Sequence, residues 1–186
     1  MILDLAGIFV MAFLGGARLN QILAGGWWAL PLFLHAMFSM ILLIIHRKPG
    51  RLSPFLQRVT AWASALMPLA IQINGFIPLA NRIVSMAGVA VAIWTLVVLG
   101  KSFDVSPADR GLVNRGPYKL VRHPMYASEL FSVLAMVIVD LNLRNILVTL
   151  ALIITLVLRI RWEEKIIRGY QAYSFQVRSR LLPGVW

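Results

Sequence analysis

The chain contains no cysteine, which removes disulfides, thiolate chemistry and cysteine-based metal sites together. Histidine is nearly as scarce. His35 and His46 stand eleven residues apart, which on a helix returns to one face about 16 Å further along the axis, too far to share an ion. No H-E-x-x-H or comparable spacing occurs, so no metal is expected. Acidic residues number 7 against 18 Lys and Arg, and charged residues of both signs make up 13% of the chain. That is about half the share found in a soluble domain, so a soluble composition is excluded.

What the chain has in quantity is apolar surface. It is 60% hydrophobic with a mean hydropathy of +0.80. Runs such as Trp27 to Ile45 and Asn145 to Leu158 carry almost no charge, as segments crossing about 30 Å of hydrocarbon at about 1.5 Å per helical residue must. Six spanning segments are expected, at 2–18, 27–46, 59–79, 83–102, 124–140 and 143–160. Five remain if the first is interfacial. The first carries Asp4 and lacks a basic start and a small-residue cleavage site, so it reads as a retained helix. No linker, repeat or low-complexity tract divides the chain. The expected fold is all-α, a single polytopic membrane bundle over 1–186, with membrane helices in 1–100 and the polar motifs in 101–186.

A formal net charge of +11 could indicate nucleic acid, but the basic residues sit in short stretches between apolar runs rather than on one soluble face. Six spans sort them into two sets. Fifteen of the 18 fall around 47–58, 101–122 and 159–180, leaving Arg18, Arg82 and Arg144 for the other side. This asymmetry predicts that both ends of the chain and the stretch Arg115 to Tyr126 face the cytoplasm.

Some polar residues lie inside the apolar segments. His35 and Ser39 are spaced i, i+4 in the second, and Gln72 and Asn74 lie in the third. At membrane depth they are expected to face the bundle interior and bond neighbouring helices. Pro31, Pro68 and Pro78 interrupt or end helices and leave carbonyls open.

After Gly100 the chain turns polar, "KSFDVSPADRGLVNRGPYKLVRHPMYASELF". Gly111 and Gly116-Pro117 break regular structure, predicting a loop of some twenty residues over one end of the bundle. His123 precedes Pro124, which biases His123 to an extended conformation and makes Pro124 a natural first helical residue. The open N–H groups of that helix start, beside Arg122 and His123, form a seat for an anion. Tyr118 and Tyr126 offer aromatic faces to a cation, so a ligand with both a carboxylate and a sulfonium suits the pocket.

The second half of the pattern is "RIRWEEKIIRGYQAYSFQVRSRLLPGVW". Arg159 and Glu163 are spaced i, i+4 on one helix face. A tight turn at Asp140 to Leu143 makes the last two spans an antiparallel hairpin, which returns His123 and Glu163 to the same membrane surface.

"GPYKLVRHPMY", a hairpin, "RIRWEE" and "YQAYSFQVRSRLLPG" together resemble the isoprenylcysteine carboxyl methyltransferase family, within a wider group that includes phospholipid methyltransferases. The resemblance covers roughly residues 100–186; the first hundred match only as apolar helices. It implies S-adenosylmethionine as cofactor, leaving as S-adenosylhomocysteine, in a cytoplasm-facing pocket, and a lipophilic carboxylate substrate arriving from the bilayer. Carried over by position, Gly111, Leu112, Val113 and Tyr118 line the cofactor, His123, Pro124, Met125 and Tyr126 hold its amino-acid and sulfur region, and Glu163 contacts it from the last helix. Arg159 holds the substrate carboxylate and is the catalytic residue implied. The family usually has Gly two positions after the motif Tyr, where this chain has Ser128.

The residues agree with that chemistry. Methyl transfer from a sulfonium to a carboxylate needs no general base, so positioning is most of the task, and an Arg can aim a carboxylate through two hydrogen bonds. An amine or thiol acceptor would have to lose a proton, which Glu163, Glu164 or a Tyr could take. Three alternatives stay open: a phospholipid, amine or small-thiol acceptor; an NADPH-dependent reductase of the membrane sterol type; and a non-catalytic membrane binding protein.

Overall fold

The computed structural model describes residues 2–184 and 186. Its element order is α1 (Ile2–Leu23), a 3-10 turn (Trp27–Ala29), α2 (Leu30–Ile45), β1 (Arg51–Leu52), α3 (Phe55–Leu66) with a 3-10 extension (Met67–Ala70), α4 (Leu79–Leu99), β2 (Ala108–Asp109), α5 (Pro124–Val137), α6 (Leu143–Ile166) and α7 (Tyr170–Gln176). The fold is an all-α, membrane-spanning bundle. Its only strands among the described residues are two antiparallel dipeptides, with Arg51 opposite Asp109 and Leu52 opposite Ala108.

Among the described residues, four helices have the length and apolarity to cross a bilayer: Leu3–Leu23, Trp27–Ile45, Leu79–Ser102 and Leu143–Ile166. Their outer faces carry exposed side chains such as Phe9, Phe13, Trp94, Val97 and Ile154, an arrangement suited to lipid. The remaining two segments differ from the expectation. The helix within 59–79 ends at Leu66, because Pro68 forces a 3-10 turn and residues 71–78 run without helix to Pro78. Gln72 and Asn74 therefore leave the membrane-depth role assigned to them. The backbone N–H of Gln72 donates to Asn145 Oδ1 (3.1 Å) and that of Asn74 to Asp140 Oδ2 (2.9 Å), closing the end of the bundle where α5 turns into α6. The segment 124–140 is shortened to the 14-residue α5.

These contacts define two ends. Asn74 bonded to Asp140, Asn81 Nδ2 bonded to the carbonyl of Ala135 (2.8 Å) and Arg144 Nε bonded to the carbonyl of Ala70 (3.0 Å) lie at one. The β1–β2 pair, the bond from Arg47 N to Lys101 O (2.8 Å) and the Asp4–Arg58 pair lie at the other. The polar loop after α4 is strapped down there, with Gly50 N on Asp109 O (2.7 Å) and Arg110 bridging Asp104 (2.7 Å) and the carbonyl of Arg47.

Packing is tightest between α4 and α5. At Gly88 an added Cβ would lie 2.9 Å from both the Ser128 carbonyl and Ser132 Cβ, so only hydrogen permits this approach. Ser85 and Ser132 then bond across the contact (Oγ to Oγ 2.8 Å), as small residues do between membrane helices. Leu152, Leu156 and Ile160 of α6 are fully buried against Tyr126, Val133 and Val137 of α5. This packing sets the start of α5 beside the end of α6.

Candidate functional site

Gly111 (φ 96°) and Gly116 (φ 56°) occupy the left-handed region, which L side chains rarely adopt. They turn the loop back over the bundle so that Tyr118 enters the core. His123 is extended (φ −128°, ψ 60°), and α5 begins at Pro124. The residues after α7 complete the wall. The N–H groups of Arg122 and His123 donate to the carbonyls of Ser179 and Arg180 (both 2.9 Å), and Tyr173 Oη donates to the Tyr118 carbonyl (2.6 Å).

The end of α6 meets this wall. Glu163 accepts a hydrogen bond from Tyr126 Oη, and its other oxygen lies 3.6 Å from His123 Nδ1. Glu164 is a hub: Arg180 grips it through two bonds (2.8 and 2.9 Å), Arg122 approaches at 3.2 Å and His123 Nε2 at 3.5 Å. Tyr170 Oη sits 2.8 Å from His123 Nε2. Burial pulls the His123 pKa down, but hydrogen bonds and charge from Glu163 and Glu164 outweigh it and leave the pKa raised. Burial also pushes the phenols of Tyr118 and Tyr170 well up, and that of Tyr173 up to about 12, so all three keep their protons.

The result is a cleft of about 680 Å³, counted with its open mouth. Gly111, Leu112, Val113, Tyr118, His123, Met125, Tyr126 and Glu163 line it, together with Ser102, Asp104, Ser106, Arg110, Arg122, Tyr170 and Tyr173. Pro124 is buried behind this lining and starts the helix. Arg159 lies outside it. Its guanidinium stacks on the far side of the Tyr126 ring, 4.6 Å from the centroid. One nitrogen donates to the Val105 carbonyl (3.1 Å), while Nε and Nη1 are buried without a partner among the described residues.

Behind the cleft lies a larger cavity of about 1160 Å³, again counted with its mouth, between α1, α2, α4, α5 and α6. Its lining is mainly apolar, with Leu14, Leu32, Val89, Leu96 and Val133 among the walls, but Arg159, Glu129, His35 and Ser39 also face it. His35 and Ser39 thus line a cavity rather than joining helices. Met125 lines both spaces, and with Tyr126 and Arg159 it forms the partition.

Some features of the site escaped the sequence reading. Arg122 was read as part of an anion seat and Glu164 as a possible proton acceptor, but nothing in their spacing shows that they pair with each other, and Tyr170 was visible only as a tyrosine in the tail. Glu129 sits in an apolar run without a motif of its own.

The cleft also tests which group it could hold. Ser106 Oγ and Arg122 Nε are buried there without partners among the described residues, beside aromatic faces and acids. Such a lining fits a ligand carrying carboxylate, ammonium and sulfonium groups together.

Fold and cleft define an integral membrane protein that closes a polar ligand site over one end of a helical bundle. The chain belongs to the phospholipid methyltransferase family, whose model matches residues 77–172. It is thereby a member of an S-adenosylmethionine-dependent methyltransferase family, a distant relative of the isoprenylcysteine enzymes that its motifs resemble. The match takes in α4, the loop, the hairpin and the start of α7, reaching earlier than the resemblance and ending before the tail. No curated protein matches the chain.

Proposed function

We propose that this protein holds S-adenosylmethionine in the polar cleft and methylates a lipophilic acceptor drawn from the bilayer into the apolar cavity behind it. The observation that carries the reading is the partition. Met125 touches both spaces, Tyr126 faces the cleft and Arg159 faces the cavity, so a donor and an acceptor held on its two sides would meet there. When bound, the cofactor supplies an electrophilic methyl group on a sulfonium. His123 and Arg122 attract its carboxylate, Glu163 and the tyrosines line its cationic part, and Gly111 to Val113 with Tyr118 close over the rest. The buried aromatic lining excludes water from the sulfonium.

Family membership favours the amino head group of a phospholipid as acceptor. Arg159, which lines the cavity and keeps two nitrogens without a hydrogen-bond partner among the described residues, then takes the phosphate. The same guanidinium favours a second reading, in which the carboxylate of a prenylcysteine-like amphipath sits on Arg159 and is esterified. The strong basic bias of the cleft end favours a cytoplasmic position for that end.

The test uses detergent-purified protein. S-adenosylhomocysteine should bind the wild type, fail to bind His123→Ala and Glu163→Ala, and bind Arg159→Ala normally. Labelled S-adenosylmethionine should transfer its methyl to phosphatidylethanolamine or to a prenylcysteine analogue. Unchanged affinity in the first two variants rules the cleft out as the donor site, and label on the analogue alone selects the second reading.

A further inference from the structure

We propose that Glu129 receives the acceptor in the apolar cavity: its carboxylate binds the ammonium of an amine-bearing lipid and takes the proton that must leave before nitrogen can be methylated. The inference rests on the methyltransferase reading above and adds to it the group that handles the acceptor.

Four titratable side chains reach the cavity: Arg18, His35, Glu129 and Arg159. Arg18 is engaged by Gln21 (2.9 Å). Arg159 is held by Tyr126 and the Val105 carbonyl, and its charge also reaches Glu129 without a hydrogen bond between them. Glu129 is the one acid, and it makes no hydrogen bond or ion pair within bonding distance of any described residue. The neighbouring hydroxyls are committed elsewhere, Ser128 to the Met125 carbonyl (2.8 Å) and Ser132 to Ser85. An ionisable group at this depth is costly without a partner, and in membrane proteins such groups mark binding sites and proton paths. An ammonium entering the cavity finds one anionic partner, Glu129.

Position agrees with this role. Met125 and Glu129 are spaced i, i+4 on α5, and helical side chains lean toward the N-terminus, so the carboxylate reaches back over the turn that carries Met125. Met125 belongs to the partition, which puts the acid one turn from the donor side. The acids of the cleft do not compete. Glu163 is engaged by Tyr126, and Glu164 by Arg122 and Arg180.

The proton balance is simple. A primary amine at neutral pH is protonated and has no lone pair to offer. One N–H bond breaks with its electrons remaining on nitrogen, and the proton bonds to a Glu129 oxygen. A neutral amine and a neutral carboxylic acid result, which the apolar walls tolerate better than two charges. The amine now carries the lone pair that methylation needs, whereas a carboxylate acceptor would need no such partner.

The experiment compares Glu129→Gln and Glu129→Asp with the wild-type full chain in detergent. Without donor, the wild type should bind dodecylamine at least tenfold more tightly than dodecanoate, about 1.4 kcal/mol, and Glu129→Gln should lose that preference. Turnover of phosphatidylethanolamine should fall about 100-fold in Glu129→Gln, recover partly in Glu129→Asp, and leave S-adenosylhomocysteine affinity unchanged. The idea is overturned if Glu129→Gln keeps amine preference and turnover, or if the wild type prefers dodecanoate. The wild-type comparison decides alone should Glu129→Gln fail to fold. If S-adenosylhomocysteine does not bind the wild type, the donor reading fails instead, while the amine preference stays measurable.

Discussion

The cleft and the cavity lie on two sides of one tyrosine ring, yet they treat charge in opposite ways. In the cleft, Glu163, Glu164, His123, Arg122 and Arg180 form a connected set of ion pairs and hydrogen bonds. In the cavity, Glu129 makes no hydrogen bond and two nitrogens of Arg159 have no hydrogen-bond partner among the described residues, and the two groups act on each other through their charges. Paired groups keep their geometry without a ligand, so the proposed donor side is preorganised. Groups without hydrogen-bond partners can take them from a ligand, so the proposed acceptor side is completed by what enters it.

Removing members of each set should sharpen that contrast. The largest loss is expected from His123→Ala or Glu163→Ala, with no S-adenosylhomocysteine binding detectable by calorimetry. Arg159→Ala comes next: donor affinity within about twofold of wild type, but turnover lower by about 100-fold or more because an anchoring charge is lost. Equal damage to donor binding would erase the distinction between the two sides. Third, Glu164→Gln breaks the hub that ties Arg180 and Arg122 to α6. Its melting temperature should fall by roughly 2–8 °C, as about 1–2 kcal/mol implies for a chain of this size, with donor affinity about tenfold weaker. The smallest effect is on pH. His123 has a raised pKa when folded, so its stabilisation is complete below its ordinary value of 6.5 and declines as pH rises through the folded value. Thermal melts across pH 6 to 9 should show this decline, and His123→Gln should flatten it.

Legibility from sequence followed chemistry that acts locally. The start of α5 at Pro124 could be read because proline constrains its own residue and the one before it, and the pairing of His123 with Glu163 followed from a short turn between two helices. The interruption after Leu66 was harder, since 59–79 carries no charge and Pro68 alone marks where helical hydrogen bonding first fails. The β1–β2 pair was invisible: two dipeptides more than fifty residues apart carry no periodicity. Glu129 and His35 were discounted or missed for one reason. Whether a polar side chain at membrane depth bonds a neighbour or faces a void depends on tertiary packing, here on how closely Gly88 lets α4 approach α5.

The hydrogen bonds from Arg122 and His123 to the carbonyls of Ser179 and Arg180 join stretches separated by the whole hairpin. Neither stretch can reach the other until α5 and α6 between them have packed side by side. The cleft wall is therefore closed by the tail only after those two helices have met. A chain whose α5 and α6 stay apart would lack that wall.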